Sequence, residues 1–92
     1  MSGPGAFPEP SFTALVDLLG AQAFVALGGY APPGQEPTVD LPHAEFMIEL
    51  LRVLRDKSNG QRTPEESKRL AETLDGLQRS FVAVKQREPA GP

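Results

Sequence analysis

The sequence predicts an all-α fold, and two observations predict it. Apolar residues recur at spacings of three and four in three separate segments, and each segment is bounded by residues that cap, start or stop helices. The 92 residues leave room for one small core and no second one. The expected organisation is a single three-helix domain over residues 11–86, with helices at about 11–28, 41–58 and 64–86. A disordered arm at 1–10 and a disordered tail at 87–92 flank it, because both are rich in Gly and Pro and poor in residues to bury.

The first helix opens at Ser11, whose hydroxyl can accept from the unpaired amides of the first turn, and stops at Gly28-Gly29. Phe12, Leu15, Val16, Leu19, Ala23, Ala26 and Leu27 form an apolar face, while Leu18, Phe24 and Val25 carry apolar surface around the other side. A helix of this kind needs cover on several sides. The connector GYAPPGQEPTVD holds three prolines and predicts an extended, partly polyproline-like path. It is long enough for the first helix to pack in either direction.

The second helix begins at Leu41-Pro42, where proline suits the first turn because its missing N–H would have had no partner there. Ala44, Met47, Ile48, Leu51 and Leu54 form its stripe, widened by Phe46, Leu50 and Val53, and it ends at Asn59-Gly60. The third opens with Thr63-Pro64-Glu65-Glu66, a capping box in which Thr63 and Glu66 each satisfy the other's backbone amide. Leu70, Leu74, Leu77, Phe81 and Val84 then follow at steps of four, three, four and three, the seam of a helix packed lengthwise on another. Residues 60–63 are few, so helices two and three are expected to form an antiparallel hairpin.

Charge and composition exclude several functions. Twelve acidic against nine basic residues give a net charge of -3, which does not attract a polyanion, so nucleic-acid binding is disfavoured. With no cysteine there are no disulfides, thiolate nucleophiles or cysteine-ligated zinc, in keeping with a reducing cytoplasm. The start MSGPGAFPEP lacks the basic residues of a secretory signal. The longest apolar run is broken by Asp17 and Gln22 and is too short to span a bilayer.

Four groups of residues were weighed as sites. Lys57-Ser58 beside Gly60 resembles the end of a phosphate-binding loop, but Asp56 stands where that loop needs glycine and the pair closes a helix instead of opening one. His43, the one histidine, could join Asp40, Glu45 or Glu49 on a metal, yet a lone histidine in a first helical turn reads as surface. The carboxylate pairs Glu45 with Glu49 and Glu65 with Glu66 read as a solvated strip and a helix cap. Arg52, Arg55, Lys57, Arg62, Lys68 and Arg69 gather around the corner between helices two and three, opposed there by Asp56, Glu65 and Glu66. No catalytic, cofactor-binding or metal-ligating residue is assigned, and no cofactor is expected.

The residues also carry a resemblance. Leu27-Gly28, then Leu41-Pro42 with Ala44, Ile48, Leu51 and Leu54, then Lys57, Gly60, Thr63, Glu66, Leu70, Leu74, Leu77 and Phe81-Val82 resemble the signature of the bacterial domain of unknown function family 1844 (DUF1844). Ser58 stands where that family usually has Thr, and Gln61-Arg62 replaces its usual Asn-Leu, making this corner more polar. The resemblance implies a bacterial, cytoplasmic, all-helical protein and brings no catalytic residues with it.

The apolar breadth of helices one and two leads to an expected homodimer through those helices, since a lone chain would leave a large patch in water. The expected function is a non-enzymatic, homodimeric protein-interaction or scaffolding module, with an unidentified protein as a further partner. The alternative is a ligand- or nucleic-acid-binding regulatory domain using the basic corner.

Overall fold

Local capping chemistry sets the helix starts in the computed structural model, which describes residues 7–87. Helix α1 spans Phe12–Ala26, α2 spans Leu41–Lys57 and α3 spans Pro64–Arg87. The Ser11 hydroxyl accepts from the Ala14 N–H at 3.0 Å, and Asp40 does the same for the His43 N–H at 3.1 Å. At α3 the capping box is complete: the Thr63 N–H donates to Glu66 Oε1 at 2.8 Å, and the Glu66 N–H donates to Thr63 Oγ1 at 3.1 Å.

Helix α1 ends two residues before the expected position. Gly28 takes φ 84°, which lets its N–H reach the Val25 carbonyl while the Gly29 N–H reaches the Phe24 carbonyl, both at 2.9 Å. This pair of bonds turns the chain out of the helix and satisfies carbonyls that would otherwise face solvent unpaired. At the other terminus Arg87 still belongs to α3, so the expected tail starts one residue too early. Residues 1–6 of the expected arm and 88–92 of the expected tail lie outside the described range; residues 7–10 have no regular structure.

The connector does not run out extended. Pro32-Pro33-Gly34-Gln35 makes a turn closed by the Gln35 N–H on the Pro32 carbonyl at 3.1 Å. The loop's two ends then meet, because Leu27 pairs with Val39 in an isolated antiparallel bridge and the Asp40 N–H donates to the Ala26 carbonyl at 2.8 Å. A loop with joined ends returns α2 to the end of α1, whatever its contour length.

All three helices touch one another, and the α1–α2 pairing is the most extensive. Helix α1 runs in the same direction as α3: Asp17 meets Arg69, and one turn further along both helices Gly20 meets Thr73. A Cβ at Gly20 would stand 2.9 Å from the Thr73 methyl, so the missing side chain sets how closely these two helices approach. Among the described residues twelve apolar side chains are buried, including Val16, Ala23, Met47, Ile48, Leu51, Leu70, Leu74 and Val84. The molecule measures 45 × 35 × 16 Å. At 16 Å its thin dimension exceeds the width of one helix with its side chains, about 10–12 Å, by only a few ångströms, so each helix keeps an outward side.

Candidate functional site

The basic corner is the first candidate, and its cations are largely spoken for. Ser58 closes α2 by donating its hydroxyl to the Leu54 carbonyl at 2.6 Å. Arg62 then reaches back: Nη1 donates to the Arg55 carbonyl at 2.6 Å and to the Ser58 hydroxyl at 2.8 Å, while Nε donates to the Ser67 hydroxyl at 2.9 Å. One guanidinium thereby ties the last turn of α2 to the first turn of α3, and its charge complements the negative end of the α2 dipole. Lys57-Ser58 therefore terminates a helix, and the Ser58 hydroxyl is occupied on both its donor and acceptor sides.

The other arginines of the group spread away from the corner. Arg55 pairs with its neighbour Asp56 at 3.1 Å. Arg52 pairs with Glu49 and, across the α2–α3 cleft, donates from Nη2 to the Gln78 amide oxygen at 2.6 Å. Arg69 pairs with Asp17 of α1 at 2.7 Å. Of the acidic residues expected to oppose these cations, Asp56 does so, while Glu66 is committed to its cap; Glu49 and Asp17 supply the other partners. Asp17 could have signalled this, as the one charge in an otherwise apolar helix that needs a partner.

His43 is exposed, and Asp40 spends a carboxylate oxygen on the His43 backbone amide. Among the described residues no three His, Asp or Glu side chains converge on a point that could hold a metal ion. Glu45 and Glu49 line the rim of the α2–α3 cleft, whose walls are Ile48, Phe81 and Val82. The cleft holds about 250 Å³, below the roughly 300–1,000 Å³ usual for small-molecule sites. No polar or charged side chain of the described residues is buried, so none sits in the dry surroundings that tune a catalytic group.

The second candidate is a surface. Leu15, Leu18 and Val25 of α1 and Phe46 and Val53 of α2 are 42–59% exposed. Leu18, Val25, Phe46 and Val53 are among the residues that broaden the apolar faces of the two helices in the sequence; Leu15, expected in the inward stripe of helix one, is left partly uncovered with them. No described helix is long and apolar enough to cross a membrane.

Fold and surface together define a small three-helix protein that leaves large apolar side chains exposed, most of them on α1 and α2. The chain belongs to the family described as Domain of unknown function (DUF1844), whose model matches residues 9–83 and thus all but the last few described residues. No curated protein and no solved structure matches it.

Proposed function

We propose that the protein is a non-catalytic protein-interaction or scaffolding module that works as a homodimer in the bacterial cytoplasm. One observation carries the reading: large apolar side chains on α1 and α2 stay about half exposed. Two-fold self-association is the commonest closed way to cover such a set. The corner offers less, since four of its six cations already hold partners within the chain.

Light scattering on the purified chain at micromolar concentration tests the reading. A species of twice the single-chain mass is expected. A monomer at that concentration defeats it, and a salt-sensitive complex with nucleic acid, lost on replacing Lys57 and Lys68, would put the corner in its place.

A further inference from the structure

We infer that the second copy is received on the outer face of α1 and α2, and that two such faces stack about a two-fold axis into a four-helix core with both α3 helices outside. The inference rests on the homodimer reading and specifies its surface.

Periodicity groups the residues first. Leu15, Leu18, Gln22 and Val25 recur at three, four and three along α1, and all but Gln22 are apolar. Phe46, Leu50 and Val53 recur at four and three along α2. Neither set is turned toward α3. Helix α1 addresses α3 with Asp17 and Gly20, and α2 addresses it with Ile48 and Arg52. The two stripes therefore lie on the side of the α1–α2 pair away from α3, and they form one surface.

Charge then favours an identical partner. Across a two-fold axis every residue meets its own surface, so like charges on the patch would repel. Helix α1 carries one charge, Asp17, and that carboxylate is turned to Arg69, which leaves the α1 half of the face neutral. The exposed apolar residue on α3, Val82, sits instead in the cleft rimmed by Glu45 and Glu49. That cleft is lined by Arg52 as well, already paired with Glu49, so its rim is charged where the outer face of α1 is not. Gln22 fits a symmetric seam because its amide both donates and accepts, and one polar residue among apolar ones fixes the alignment of paired helices.

Area supports the same occupant. Five large side chains at about half exposure, each offering on the order of 150–200 Å² when open, present about 400–450 Å² per chain. Two faces, with Leu50, Ala14 and Ala21 at their edges, reach the roughly 1,000 Å² total that a specific interface needs.

The test compares the wild type with Leu18→Glu, Val53→Glu and Val82→Glu by sedimentation velocity, with circular dichroism to verify the helices. Val53 and Val82 are equally exposed, 53% and 52%, so they differ only in which face they occupy. Leu18→Glu and Val53→Glu are each expected to weaken the dimer by about 100-fold or more, since each charge enters the interface twice. Val82→Glu is expected to leave it within a few-fold of wild type. A dimer insensitive to both face variants, or one broken by Val82→Glu, overturns the inference while leaving self-association intact. A wild-type monomer overturns both. If Leu18→Glu loses helix content, Leu18→Gln at the same position carries the test.

Discussion

The corner between α2 and α3 and the outer face of α1 and α2 are opposite kinds of surface. The corner is rich in the residue types that suggest chemistry, and many of them are engaged within the chain: Arg62 on Arg55, Ser58 and Ser67, Thr63 on Glu66, Arg55 on Asp56. The outer face has no chemistry and no partners. Residue type alone points to the first, whereas unspent interaction capacity points to the second. A polar group already satisfied gains little by exchanging its partner for a ligand, but a half-exposed Phe46 or Leu18 gains whatever area a partner covers.

The glutamates at Leu18 and Val53 strike this contrast hardest, because they place charge among the apolar side chains that the pairing would bury. At the corner, Arg62→Ala removes a charged donor that bridges two helices. It is expected to lower stability by about 2 kcal/mol, read as a reduced urea midpoint, with the dimer equilibrium unchanged. A loss of binding without a loss of stability would move the corner from scaffold to site. Thr63→Ala removes one side of the capping box and is expected to cost about 1 kcal/mol in the same measurement. The smallest effect belongs to Asp17 and Arg69, a pair about half exposed at both ends. A double-mutant cycle to alanine is expected to give a coupling of about 0.2–1 kcal/mol that shrinks in high salt. A larger, salt-insensitive value would show that the α1–α3 contact contributes more than its exposure implies.

The helix starts were legible because their signals are local: Ser11 and Thr63 each bond to an amide three residues on, and Pro42 marks the first turn of α2, although the cap that Asp40 supplies there was not read from the sequence. The seam of α3 was legible for a similar reason, since one clear stripe of leucines on a polar helix can face only one way. The path of the connector was not. Three prolines argue for extension, while the Leu27–Val39 bridge that joins its ends depends on where α2 settles. The role of Arg62 was likewise hidden, because a lone arginine in a loop carries no sign of the carbonyl seven residues earlier that it will bind. For the candidate surface, the sequence supplied the apolar excess of helices one and two but not which part of it the core would consume.

By itself the sequence determined three helices, their caps and the leucine seam, because these follow from interactions spanning three or four residues. Only the tertiary structure decided which side of α1 is left open. A helix apolar on most sides has no preferred face in its own pattern, and its orientation is set from a distance, by Gly20 admitting Thr73 and by Asp17 finding Arg69 fifty-two residues away.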